Sequence, residues 1–146
     1  MYKYLTLIRY KNLIFIAFVQ LIIRQTVLMP VLQKYGFEIA PIDLATWLLI
    51  LSTMLIAAGG YVLNDYFDIK IDRINKPEKQ FIGTVISKQQ AMLLHQILTG
   101  VGVICGLVLA FSLKSFTLAF LFIVVPGLLW FYSASYKRQF LTGNLI

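Results

Sequence analysis

Residues 44–73 read LATWLLILSTMLIAAGGYVLNDYFDIKIDR. From Leu44 to Leu63 the stretch carries no charge, and it is about as long as a helix needs to be to cross the bilayer core, roughly 20 residues. It then changes abruptly. Asp65, Asp68 and Asp72 follow within two helical turns, and the chain has only 6 acidic residues in all. The first half of the stretch predicts a membrane-spanning helix. The second half asks why carboxylates crowd its end.

The composition agrees with the first half. The 146 residues are 60% hydrophobic and 13% charged, with a mean hydropathy of +0.82. A soluble domain is nearer about a quarter charged. The formal net charge of +7 does not indicate a nucleic-acid binder, because the Lys and Arg residues sit between apolar runs and leave no polar surface to carry a basic patch. They fit the flanks of membrane spans and anionic headgroups or phosphates. Cys105 is the single cysteine and lies inside an apolar run, so an intrachain disulfide and a cysteine-based metal site are both excluded. The N-terminus MYKYLTLIRYKNLIFIAFVQLII has the outline of a signal peptide. No small-x-small cleavage site follows it, so it reads as a retained first span.

Three more apolar segments join Leu44–Leu63: about Leu13–Leu32, about Ala91–Phe111 and about Phe116–Tyr132. None alternates with period two, which argues against a β-barrel. Ser87 and Gln90 form an S-x-x-Q capping box before the third segment. Pro126 and Gly127 are expected to kink the fourth. The expected fold class is an all-α integral membrane protein of about four transmembrane helices. Basic residues cluster on alternate flanks: Lys3, Arg9 and Lys11, then Lys70, Arg73, Lys76, Lys79 and Lys88, then Lys137 and Arg138. The two other connections carry only Lys34 and Lys114. This predicts a multi-pass protein of the inner (cytoplasmic) membrane with both termini and the 64–88 loop in the cytoplasm.

Asn64, Asp68 and Asp72 are spaced i, i+4, i+8 and share one face if the second helix continues past Leu63. Like charges one turn apart repel, and a divalent cation removes that penalty. Mg²⁺ prefers oxygen ligands and binds through one or two carboxylates together with substrate phosphates. The plainer alternative is a solvated loop neutralised by Lys70, Arg73 and Lys76.

N-D-x-x-D-x-x-x-D after an apolar helix resembles the first aspartate-rich motif of the UbiA-type intramembrane prenyltransferases, here Asn64, Asp65, Asp68 and Asp72 with IDRINKP continuing the likeness to Pro77. YSASYKRQFLTGN resembles the family's Tyr-Ser, Lys-Arg and Gly-Asn pattern through Tyr132, Ser133, Lys137, Arg138, Gly143 and Asn144. Arg9 and Asn12 match a weaker Arg-x-x-Asn feature leading into the first helix. The resemblance implies Mg²⁺-dependent transfer of a prenyl group from a polyprenyl diphosphate to an aromatic or glycerol-phosphate lipid acceptor, among membrane lipids and without nucleic acid. It implies Asp65, Asp68 and Asp72 as metal ligands and Asn64 as a ligand or orienting donor. Arg9, Asn12, Arg73, Tyr132, Ser133, Lys137 and Arg138 are implied as substrate-binding. For the cations the alternative is a positive-inside flank, and for Tyr132 an interfacial aromatic.

Family members are longer and carry a second aspartate-rich motif, whereas this sequence has one. The expectation is that residues 1–146 form the N-terminal part of a single transmembrane prenyltransferase domain, the first half of a bundle of roughly nine helices of about 20 residues each, and that they are inactive alone. Where many relatives have Arg-Pro after the Asn-x-Pro element, this chain has Glu78, Lys79, Gln80 and Phe81, which weakens any transfer of acceptor preference. The look of NDYFDIKIDRINKP points to a geranylgeranylglyceryl-phosphate type of acceptor. The competing reading is a non-catalytic four-helix membrane protein that binds divalent cation or anionic lipid.

Two further polar residues stand within the spans. Asn12, Gln20 and Arg24 fall on one i+4 stripe, which places them either along a polar cavity or with Arg24 reaching for the outer interface. His95 reads as interfacial or helix-contacting rather than catalytic.

Overall fold

Lack of water in the bilayer forces every backbone amide to find its partner within its own segment, and helices result. The computed structural model describes residues 2–37, 43–75 and 81–136. Among the described residues, four helical stretches are long and apolar enough to cross a membrane: Tyr10–Lys34, Leu44–Lys70, Lys88–Ser112 and Phe116–Ser135. The protein is thus an all-α, multi-pass membrane protein.

The first span is not a uniform helix. A short helix α1 (Tyr2–Leu7) precedes α2 (Tyr10–Ile23), and between them Arg9 takes the left-handed conformation at φ 54 and ψ 52. That region is costly for a residue with a Cβ. After α2 the chain widens into a π turn, π1 (Arg24–Leu28), before α3 (Met29–Lys34). Pro30 explains the widening. It has no amide hydrogen, and its ring would strike the carbonyl four residues back. Inserting a π turn re-spaces the ladder, and the amide of Met29 bonds to the Arg24 carbonyl.

The second span extends well beyond its apolar run. Helix α4 (Leu44–Asn75) has 32 residues, which at 1.5 Å per residue is about 48 Å and exceeds the hydrocarbon thickness. The condition for placing Asn64, Asp68 and Asp72 on one helical face is therefore met. Asp43 caps the start of α4, accepting from the amide of Thr46 at 2.9 Å and from its hydroxyl at 2.6 Å.

Helix α5 (Lys88–Ser112) starts with the expected capping box. The Ser87 hydroxyl accepts from the Gln90 amide at 3.1 Å, and the Gln90 side chain accepts from the Ser87 amide at 2.9 Å. Small residues let α5 lie close against α4. Ser52 is fully buried and donates to the Gly102 carbonyl at 2.7 Å. A Cβ on Gly102 would stand 2.9 Å from the Ile56 side chain. His95 lies at the same crossing, its Nδ1 3.0 Å from the Gly59 carbonyl, so it is a helix-contacting residue as expected. Helix α6 (Phe116–Phe131) keeps Pro126 inside a single helix and packs Phe122 over Gly106. A second π turn, π2 (Tyr132–Tyr136), follows it.

One end of the bundle is sealed by a separate cluster. Leu7 of α1, Val62 of α4, Ile82 and Ile86 of the intervening turn, and Ala91 of α5 are all buried together. Gly83 at φ 93 lets the 81–86 turn close, with its amide bonded to the Ile86 carbonyl at 2.8 Å. The α1 segment, this turn and π2 all lie at the same end, with π2 packed on α4. The remaining apolar side chains on the outer faces, such as Phe15, Phe18, Ile104 and Phe111, are exposed, as expected of helices whose solvent is lipid.

Candidate functional site

The acidic end of α4 is where the singled-out residues meet. The Asn64 side-chain amide donates to Asp68 Oδ2 at 3.1 Å. One turn is the spacing that allows this, and the bond orients one carboxylate. Asp65 points to a different partner. Its Oδ1 lies 2.9 Å from a guanidinium nitrogen of Arg9, a salt bridge between residues 56 apart in sequence. The Arg9 side chain is 43% exposed and that of Asp65 25%, so solutes can reach the pair. The same guanidinium sits over the ring of Tyr61, 4.9 Å from its centroid. Tyr61 stands one turn before Asp65 on α4, so both contacts come from one helical face.

Other expected residues are placed less centrally. Arg73 is exposed in the last turn of α4, and Asn12 is exposed on α2. Asp72 is partly buried. Tyr132 is exposed at the start of π2, whereas Ser133 beside it is buried. The described part of this second motif, Tyr132–Tyr136 in π2, packs on α4, the helix that carries the aspartates. Lys137, Arg138, Gly143 and Asn144, together with Lys76 and Pro77, lie outside the described residues.

The oxygen donors can be tested against Mg²⁺. Asn64, Asp65, Asp68 and Asp72 offer only hard oxygen ligands, with no sulfur or imidazole among them, which is the donor set that ion takes. Among the described residues, no three His, Cys, Asp or Glu side chains converge on one point. Mg²⁺ seldom requires this, since it commonly keeps water and substrate phosphates as ligands alongside one or two carboxylates. The residues fit the ion.

A second polar group lies near the other end of the spans. Arg24 Nε donates to Thr46 Oγ1 at 3.1 Å, and Thr46 in turn donates to Asp43. Gln20 donates to Thr53 Oγ1 at 2.8 Å. The Gln20–Arg24 stripe therefore faces α4, beside a cavity of about 440 Å³ walled mainly by apolar side chains such as Leu28, Leu49 and Leu109. Of the expected i+4 stripe, Gln20 and Arg24 line this cavity and Asn12 does not, and the cavity is mainly apolar rather than polar. The partners Thr46 and Thr53 could not be picked out because single threonines in an apolar run carry no signal. Tyr61 was missed as well. The signal for it was its i−4 spacing from Asp65.

The profile of the UbiA prenyltransferase family matches residues 27–146. A digeranylgeranylglyceryl phosphate synthase from Sulfurisphaera tokodaii is 37% identical over 110 residues, covering 75% of this chain and 37% of that protein. One from Methanosarcina mazei is 32% identical over 145 residues, covering 97% of this chain and 48% of that protein. A solved structure, described as giving insights into the biosynthesis of digeranylgeranylglyceryl phosphate synthase in membranes, superposes with a TM-score of 0.71 at 29% identity. It covers 93% of this chain and 44% of its own. The chain spans less than half the length of these relatives.

Proposed function

The chain belongs to the UbiA prenyltransferase family, and from that premise we propose that it serves in transferring a prenyl group from a polyprenyl diphosphate to a phosphate-bearing glycerolipid acceptor. The observation that carries the reading is the oxygen-rich end of α4, where Asn64 orients Asp68 and Asp65 pairs with the Arg9 guanidinium. The relatives named above carry the acceptor class.

Diphosphate leaves slowly until its charge is neutralised. Asp65, Asp68 and Asp72 would hold Mg²⁺ with Asn64 orienting Asp68, and the bound ion would supply charge neutralisation on the diphosphate oxygens. Arg9 offers a guanidinium fork to phosphate oxygens at the same place. Bond breaking at the donor leaves an allylic cation that water would trap. The apolar spans Leu44–Lys70 and Lys88–Ser112 would keep water from the tail side of that reaction. A position at the membrane edge lets the anionic head stay near water while the prenyl tail remains in hydrocarbon. The Lys and Arg flanks support placing the acidic end and both termini at the cytoplasmic face of the cytoplasmic membrane.

The test is transfer by the full-length protein in nanodiscs, with labelled prenyl diphosphate, Mg²⁺ and either a prenylglyceryl phosphate or an aromatic acceptor. The expected product forms with the glycerolipid and requires divalent metal. No product with any acceptor, alongside retained binding of divalent cation or anionic lipid, would replace the enzyme with a non-catalytic binding protein.

A further inference from the structure

We propose that Tyr61 is a positioning residue for Arg9, presenting its guanidinium beside Asp65 to the phosphate oxygens of an arriving substrate. The inference rests on the transferase reading above and deepens it. Three observations carry it. First, Arg9 holds a left-handed backbone conformation at φ 54, which residues other than glycine avoid unless their surroundings impose it. Leu7, two residues earlier and 2% exposed, pins that backbone between Val62, Ile82 and Ile86. Second, the guanidinium is held from two sides, by Asp65 at 2.9 Å and by the Tyr61 ring at 4.9 Å. Third, the two supports differ in kind. A carboxylate uses N–H donors of the guanidinium. A ring face attracts the cation without consuming any of them. Arginine has five such donors, and those not turned to Asp65 remain for phosphate.

The ring therefore does what a second carboxylate could not do. It fixes the cation while leaving its hydrogen-bonding edge open and adding no negative charge to repel the substrate. The Tyr61 backbone lies in the interior of α4 beside Val62 and Leu63, which are 0% and 1% exposed, and its side chain is partly buried. The phosphate could come from the diphosphate of the donor or from the phosphomonoester of the acceptor. The chemistry recognised is the same, and two probes separate the sources.

The experiment uses the full-length protein in nanodiscs with Mg²⁺, and measures binding of a non-transferable prenyl thiodiphosphate and of a prenylglyceryl phosphate. Position 61 is changed in steps: Tyr61→Phe, then phenylalanines carrying one, two and three ring fluorines. The shape barely changes across the series while the ring's attraction for a cation falls, so folding is not the variable. Tyr61→Phe is expected to keep affinity within about twofold. The trifluoro ring is expected to weaken at least one probe about threefold or more. The probe that responds identifies the phosphate. In an Arg9→Ala background the same series is expected to be flat. An equally flat series with Arg9 present, or an equal slope without it, overturns the positioning role and leaves the transferase reading standing. A wild-type protein that binds neither probe overturns that reading and the inference with it.

Discussion

Arg9 and Asp65 are 56 residues apart in sequence, yet their side chains meet at 2.9 Å, joining the entry of the first span to the acidic end of the second. Two features make the contact possible: the left-handed turn at Arg9 and the packing of α1 under the 81–86 turn. Neither belongs to the acidic motif itself.

Replacing Arg9 separates its backbone role from its charge. Arg9→Gly removes the guanidinium but suits φ 54, whereas Arg9→Ala removes it and keeps the strain. Both variants are expected to lose most transferase activity. Arg9→Ala should also be less stable than Arg9→Gly by about 1 kcal/mol. Thermal unfolding of the two in the same nanodiscs checks this, and equal midpoints would remove the strain argument.

The carboxylates carry a different expectation. Asp68→Ala and Asp72→Ala should each abolish metal-dependent transfer and leave insertion intact, since charge stabilisation at such a site is worth several kcal/mol. Asn64→Ala should cost less, because it removes one hydrogen bond to Asp68 without removing an anion. Initial rates across a Mg²⁺ titration report both effects. Rates within about threefold of wild type for both aspartate variants would remove them from the reaction.

The cap of α4 is expected to respond to pH. The Thr46 hydroxyl, and then its amide, donate to the Asp43 carboxylate and hold it below its ordinary value. A group with a folded pKa below its unfolded one stabilises the fold fully above the unfolded value, near about 4. That contribution disappears as pH falls through the lower folded value. Asp43→Asn still caps the helix but cannot titrate, so its stability should fall less steeply below about pH 4. Asp43→Ala should lose about 1 kcal/mol at neutral pH. Unfolding midpoints from pH 3 to 7 in a pH-stable membrane mimic distinguish the three proteins.

Two glycines of α5 should respond in opposite directions to one methyl group. A Cβ at Gly102 would stand 2.9 Å from the Ile56 side chain and 3.0 Å from backbone atoms of α4, whereas a Cβ at Gly100 meets nothing within 4 Å. Gly102→Ala is expected to destabilise the protein by about 1–3 kcal/mol through overpacking. Gly100→Ala should be neutral or stabilising by up to about 1 kcal/mol, because alanine is the better helix former. Comparable losses from both would mean that the α4–α5 approach is not close at Gly102.

Topology gives the last expectation. Single cysteines at Lys34 and Thr84, in a Cys105→Ala background, should label from opposite sides of the membrane, with Thr84 on the cytoplasmic side. Labelling from one side would require the spans to be redrawn.

Much of this protein could be read from local pattern alone. Uncharged runs such as Leu44–Leu63 specify spanning helices because the bilayer permits little else. The Ser87–Gln90 box marks the start of α5, since a cap is made by residues three apart. The Asn64–Asp68 contact follows from helical periodicity once α4 continues past Leu63. The rest depends on how helices pack. The partner of Asp65 could not be found from its neighbours, because it is an arginine within a left-handed turn next to Leu7, which packs with Ile82 and Ile86. Likewise, Thr46, Thr53 and Ser52 look like any hydroxyls in an apolar run until Arg24, Gln20 and the Gly102 carbonyl arrive from other helices. Periodicity is a property of one segment, and it determines which residues share a face. Which face meets which is decided by the few close approaches that small residues and turns allow, and these exist only in the folded chain.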